Sequence, residues 1–249
     1  MNTCNMNRDS NSYTFGFAAA MVLVVASVLA FTASSLKDLQ SENVRKEKMQ
    51  NILSTIGIET DREGAEKLFN DYVTEQLALR NDGTVDETVD AFSEIKLAIE
   101  IKKDAESQRF PLYVASVDEA TYYIVPLRGS GLWDAIWGYI ALDEDRNTIK
   151  GAVFDHKGET AGLGAEITQQ WFMDRFVGEK IFDTSGDLVG ISVSKTNNDP
   201  NDTDKDDHEV DAISGATITG DGVSEMIIER LQHYLPYLKP TTADLAYNN

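Results

Sequence analysis

The chain has 249 residues, enough for one moderate domain with attachments, and with 42% hydrophobic and 26% charged residues it can bury a core and is not a disordered segment. Its 42 acidic against 22 basic side chains leave a net charge of -20, which opposes binding to nucleic-acid backbones and anionic lipid headgroups and excludes nucleic-acid functions. Cys4 is the only cysteine, so an internal disulfide, a cysteine-ligated zinc and an iron–sulfur cluster held by this chain alone are excluded too. Cys4 also precedes the apolar segment, which opposes a lipoprotein-type attachment.

From Ser10 to Leu36 no side chain is charged, and Phe15 to Phe31 is almost wholly apolar. A run of that length crosses a hydrocarbon core of roughly 30 Å as a helix. The competing reading is a cleaved signal peptide. Only Arg8 makes a basic n-region and Ala30-Phe31-Thr32-Ala33 offers no small-x-small cleavage site, so an uncleaved anchor over residues 13–36 is expected, behind a tail at 1–12. Lys37, Arg45, Lys46 and Lys48 follow it, interspersed with Asp38, Glu42 and Glu47, so charge counting leaves the orientation open.

Ser41 to Thr60 continues as a predicted helix with Val44, Met49, Ile52, Leu53 and Ile56 as its apolar stripe and Gly57 as its stop. Asp61 to Arg80 is predicted as a second helix, capped by Asp61, with Ala65, Leu68, Phe69, Tyr72, Val73, Leu77 and Leu79 near helical spacing. Asn81-Asp82-Gly83-Thr84 turns the chain. Together these give a stalk and leading helices over 37–90. Phe92 to Lys103 fits a strand or a short helix. Thr121 to Leu127 is β-branched and aromatic and reads as a strand, followed by the loop Arg128 to Gly131 and then Leu132-Trp133. Gly138 to Leu142 and Ile149 to Phe154 are two strands joined as a hairpin by Asp143 to Thr148. Ala165 to Val177 reads as a helix with Trp171, Phe172 and Phe176 near one face and Gly178 at its end. Leu188 to Val193 restores a strand. Val223, Met226, Ile227, Leu231 and Tyr234 form the stripe of a last helix that Pro236 closes. The expected class is α+β: one domain over 91–238 with a mixed, largely antiparallel sheet flanked by helices, on one N-terminal transmembrane helix, with a tail at 239–249.

Three segments carry candidate chemistry. Ser214-Gly215-Ala216-Thr217 sets hydroxyls among residues too small to block approach, directly before the last helix, which suits a modification site; its bland reading is a serine or threonine N-cap. His156-Lys157-Gly158-Glu159-Thr160-Ala161-Gly162-Leu163-Gly164 lies between the hairpin and a helix, where Glu159 and Thr160 supply an acceptor and a hydroxyl and Gly162 and Gly164 permit close backbone approach. Gly129 to Trp133 adds an indole plane beside such a turn. By contrast, an EF-hand register started at Asp202 puts Asp207 at the glycine position and Ile213 at the bidentate position, so Asn197 to Asp207 reads as a solvated excursion. His156, His208 and His233 lack zinc-ligand spacing.

Ser214-Gly215-Ala216-Thr217 resembles the flavinylation motif of the FMN-binding domain family, in which the final threonine bears FMN through a phosphoester. Pro126 to Trp133 with Gly138 to Leu142, and His156 to Gly164, match the same family in the right order. With the anchor, they are similar to the NqrC family, flavoprotein subunits of the sodium-translocating NADH:quinone reductases, over the chain from the anchor through Leu235. The resemblance implies an FMN-binding domain with FMN on the Thr217 oxygen, placed by a separate flavin transferase, and with Ser214, Gly215, Ala216, Trp133, Glu159, Thr160, Gly162, Leu163 and Gly164 around the cofactor. It implies no catalytic acid or base and no metal. It further implies an inner-membrane protein with its FMN domain on the periplasmic side, which passes electrons from NADH towards quinone beside the other membrane and flavin-bearing subunits of a six-subunit respiratory complex. Ala161 stands where that family usually has proline, which should loosen the turn and leave FMN binding intact. Two alternatives share part of the signal: the equivalent FMN-carrying subunit of an Rnf-type ferredoxin:NAD electron-transport complex, and a membrane-anchored assembly protein without flavin.

Overall fold

The computed structural model describes residues 10–199 and 203–239. Cys4 and Arg8, residues 200–202 of the acidic excursion and the tail from 240 onward lie outside the described residues. The chain divides into two compact units, Met1–Glu47 and Lys48–Asn249. Helix α1 (Asn11–Thr55) begins in the first, where it is long and apolar enough to cross a membrane. Its apolar side chains point outward, Phe15 at 74% and Phe31 at 75% exposure, an arrangement that water would penalise at about 25 cal/mol per Å². The predicted helix at 41–60 continues the anchor helix as expected, as the end of α1, and stops at Thr55. Val44 stays exposed while Met49, Ile52, Leu53 and Ile56 are buried. Gly57 does stop it: the Gly57 and Ile58 amides donate back to Ser54 and Leu53 carbonyls.

In the second unit, the segment expected as one helix from Asp61 to Arg80 divides. Asp61 Oδ1 accepts from the Glu63 and Gly64 amides in the turn before α2 (Ala65–Tyr72), whose cap position is Gly64 with no side-chain cap, so Asp61 shapes the entry and not the cap itself. Strand β1 (Val73–Leu79) then pairs antiparallel with β2 (Phe110–Val117), an element absent from the sequence reading. Sheet pairing overrides helical spacing here, beginning at the β-branched Val73 and Thr74. The segment around Phe92 to Lys103 resolves as the short helix α3 (Leu97–Glu100). Strand β3 (Ala120–Ser130) runs past the expected loop start: Arg128, Gly129 and Ser130 pair with Trp137, Ile136 and Ala135 of β4 (Ala135–Leu142). The hairpin to β5 (Ile149–His156) forms as predicted. The sheet order is β1-β2-β3-β4-β5, antiparallel throughout.

The expected helix from Ala165 to Val177 is three short pieces: 3-10 turns at Gly164–Thr168 and Asp174–Phe176 around α4 (Gln170–Met173). Gln169 is extended (φ -83, ψ 140) and the Thr168 hydroxyl bonds the Ala165 carbonyl, so local side-chain bonding competes with the helix. The turns wrap Phe172 and Phe176 onto Phe154. Leu188 to Val193 holds only a two-residue strand, β6 (Ser192–Val193), parallel to β7 (Glu209–Val210), because the Val189 and Gly190 amides both turn to the Ile181 carbonyl. Finally α5 (Thr217–Leu238) crosses β3, with all five predicted stripe residues buried. Pro236 lies within it and does not end it: α5 runs on to Leu238, and the Lys239 amide still reaches the Leu235 carbonyl.

Strand alternation gives the sheet two buried faces. Leu112, Val125, Leu127 and Ile140 face α5, and Tyr113, Ala115, Ile124 and Ala141 face α2 and the last turns of α1.

Candidate functional site

The three segments singled out in the sequence meet at one end of the sheet. Ser130 pairs with Ala135, so residues 131–134 form a tip between β3 and β4, closed by the Gly131 amide on the Asp134 carbonyl. His156 pairs with Ile136, which brings the turn after β5 beside that tip. The start of α5 completes the group. Between them lies a cavity of about 240 Å³. Its walls hold seven of the sequence-predicted residues, Glu159, Thr160, Leu163, Gly164, Gly215, Ala216 and Thr217, together with Leu132, Ile218 and Thr219. Trp133 stands at the rim, 69% exposed, its Nε1–H donating to the Thr160 hydroxyl at 3.1 Å. Ser214 and Gly162 are exposed and off the wall.

Glu159 is buried at the centre, and both its carboxylate oxygens are committed to the protein. Oε1 accepts from the Trp133 amide at 2.9 Å, and Oε2 accepts from the Thr219 hydroxyl at 2.8 Å. The side chain expected from the resemblance to meet a flavin is thus the strut that ties both turns to α5. Burial alone would raise its carboxyl, but the hydrogen bonds from Trp133, Thr219, Asp134 and Leu132 outweigh burial and hold it below the ordinary value. It is therefore ionised at neutral pH. The glycines follow from this strut: a Cβ on Gly131 would lie 2.5 Å from Glu159 Oε1, and one on Gly164 would lie 2.4 Å from Thr219 Oγ1. The turn also closes without the proline that Ala161 replaces, because Glu166 accepts from the Gly162 amide at 3.1 Å and the Leu163 and Ala165 amides share the Thr160 carbonyl.

Thr217 is the first residue of α5, exposed, and its hydroxyl makes no hydrogen bond among the described residues. The N-cap reading of this segment fails: the cap position is Ala216, and no side chain caps the helix. Gly215 holds φ +77, which puts the turn into the left-handed region and sets Ala216 inward. Thr217 and Thr219 lie about 200° apart around the helix, so one faces the cavity opening while the other reaches Glu159. That spacing was readable in the sequence and separates the two hydroxyls. Leu132 and Ile218 carried no such signal, since isolated apolar residues beside turns are common.

A profile of the FMN-binding domain family matches residues 131–232, from the Gly131 tip into α5, and so encloses two of the three segments of the site and the Gly131 to Trp133 part of the other. NqrC of the Na(+)-translocating NADH-quinone reductase from Pseudomonas aeruginosa is 31% identical over 243 residues, covering 89% of this chain and 91% of the relative. The chain belongs to the NqrC family of Na(+)-translocating NADH-quinone reductase subunits.

The Vibrio campbellii NqrC is 28% identical over 87% of this chain and 89% of its own length. The crystal structure of NqrC from Parabacteroides distasonis superposes with a TM-score of 0.74 at 37% identity, covering 83% of this chain and 98% of that one. That of Shewanella oneidensis gives 0.63 at 27% identity, with 79% and 98% covered. The NqrC likeness thus spans nearly the whole of these relatives and extends beyond the FMN-binding match, into the segment before Gly131 that supplies α2, β1 and β2.

Proposed function

We propose that this chain is a membrane-anchored, flavin-binding subunit of a Na(+)-translocating NADH-quinone reductase, with FMN esterified through its phosphate to the Thr217 oxygen. The observation that carries the proposal is the exposed, unbonded Thr217 hydroxyl on the wall of a cavity whose lining residues all lie within the FMN-binding match. The residues suit the group. Thr217 opens a 22-residue helix with no side-chain cap, so its free amides and positive dipole end favour a phosphate diester there. Leu132, Leu163 and Ile218, all substantially exposed at the cavity, offer apolar surface for a planar ring.

Bound there, FMN supplies one- or two-electron transfer, which in this reading runs from the NADH-oxidising side of a complex of six subunits towards quinone. The chain's own residues hold and shield. Glu159 fixes the two turns against α5, Trp133 bounds the rim, and the three apolar side chains exclude water. No described side chain lies in hydrogen-bond reach of Thr217 to activate it, so esterification falls to a separate flavin transferase, the Thr217 oxygen replacing the nucleotide on the flavin phosphorus. No complete nicotinamide fingerprint is present around Gly162-Leu163-Gly164, so NADH is oxidised on another subunit. The apolar part of α1 anchors the chain in the inner membrane, with the FMN domain on the periplasmic side. Mass spectrometry of the Thr217-containing peptide, from chain co-expressed with a flavin transferase, should show the mass of one esterified FMN. An unmodified peptide under those conditions would refute the linkage.

A further inference from the structure

Cations are scarce in this chain, 22 against 42 acids, yet Lys102, Arg128 and Arg230 line one cavity of about 440 Å³. It lies between the end of α3, the end of β3 and the middle of α5, and Trp133, at the rim of the Thr217 cavity, is the one residue the two have in common. Its charges are unevenly committed. Asp134 is bonded to Lys157 at 2.8 Å, and Glu229 to Arg230 Nη2 at 2.8 Å, which leaves Glu225 as the one lining acid without an ion pair among the described residues. On the other side, Lys102 and Arg128 form no ion pair among the described residues. Arg230 is 8% exposed, and its Nε and Nη1 find no acceptor among them. Those two nitrogens are shut off from the open space, so the cations an oxyanion in the cavity can reach are Lys102 and Arg128, which have no ion pair among the described residues to give up.

The remaining wall is apolar, with Ile101 and Met226, and Trp133 adds an indole at the edge. The volume falls within the ~300–1,000 Å³ usual for small-ligand sites. It is far more than a bare phosphate needs. We propose that this cavity binds a small organic anion, a phosphate or carboxylate head on an apolar body, with Lys102 and Arg128 on the head and Ile101 and Met226 against the body. The inference is independent of the flavin at Thr217.

Isothermal titration of the full chain in neutral detergent tests it, with phenyl phosphate as the probe, inorganic phosphate as the head alone and benzyl alcohol as the body alone. Phenyl phosphate should bind at least tenfold tighter than either. Lys102→Gln with Arg128→Gln should weaken it at least tenfold, Arg230→Lys less, and Thr217→Val not at all. The Lys102/Arg128 pair keeps the test valid should a change at the buried Arg230 fail to fold. Competition by dihexanoyl phosphatidylglycerol would assign the anion to a lipid headgroup, and its absence to a soluble ligand. No binding of phenyl phosphate by the wild type, or equal binding by the Lys102/Arg128 double variant, overturns the proposal.

Discussion

The two faces of the sheet are built by the same rule and end differently. Facing α2 and the last turns of α1, the core closes on aromatic rings: Phe69 packs against Phe92 at 5.1 Å and Tyr113 at 6.3 Å between centroids, with Lys48 lying over Phe92. Facing α5, the core runs up to Val223 and Ile213 and then gives way to glycine, hydroxyl and one buried carboxylate. Apolar alternation made both faces, but the cavity at Thr217 forms where bulk is withheld beside a buried carboxylate that ties the turns to α5. The difference teaches that the site is a property of the sheet's end and not of its core, so damage to the two regions should separate.

Phe69→Ala gives the largest expected effect. It should lower unfolding stability by about 3–5 kcal/mol in chemical denaturation, while the flavin content of the folded fraction stays at the wild-type level. If flavin loading fell in step with stability, the two faces would not be separable. Gly164→Ala attacks the other region. Its Cβ would meet Thr219 Oγ1 at 2.4 Å and Glu159 Oε2 at 2.5 Å, so stability should fall by about 1–3 kcal/mol and flavin loading should fall with it.

Glu159→Gln keeps the shape of the strut and removes its charge, and should cost about 1–2 kcal/mol at neutral pH. Because the folded Glu159 carboxyl sits below its ordinary value, its contribution is complete above the ordinary titration range and is lost as pH falls through the lower folded value. The variant should therefore converge on the wild type in acid, which paired denaturation series at descending pH would reveal. Lys48 gives the opposite window. Burial lowers its amine to about 8 against an ordinary 10.5, so the folded chain holds fewer protons between those values and stability rises with pH across them. Lys48→Met should flatten that rise.

What the sequence could show follows the same division. The α5 stripe, the β4–β5 hairpin and the three site segments were legible because periodicity and glycine-bearing turns are local signals. Strand β2 was not, since Phe110 to Ala115 is buried throughout and shows no alternation. Strand β1 was read as helix because Val73, Leu77 and Leu79 fit helical spacing until a partner strand claims them. The role of Glu159 was also invisible: its bonds run to Trp133 and Thr219, 26 and 60 residues away, and only the fold brings them together.

The phosphoester at Thr217 is read out by in-gel fluorescence of denatured chain, comparing wild type and Thr217→Val with and without a co-expressed flavin transferase. A fluorescent band is expected for the wild type only when the transferase is present, and none for Thr217→Val although it folds, with Ser214→Ala weakened less. A fluorescent Thr217→Val band, or a dark wild-type band with the transferase present, would contradict it.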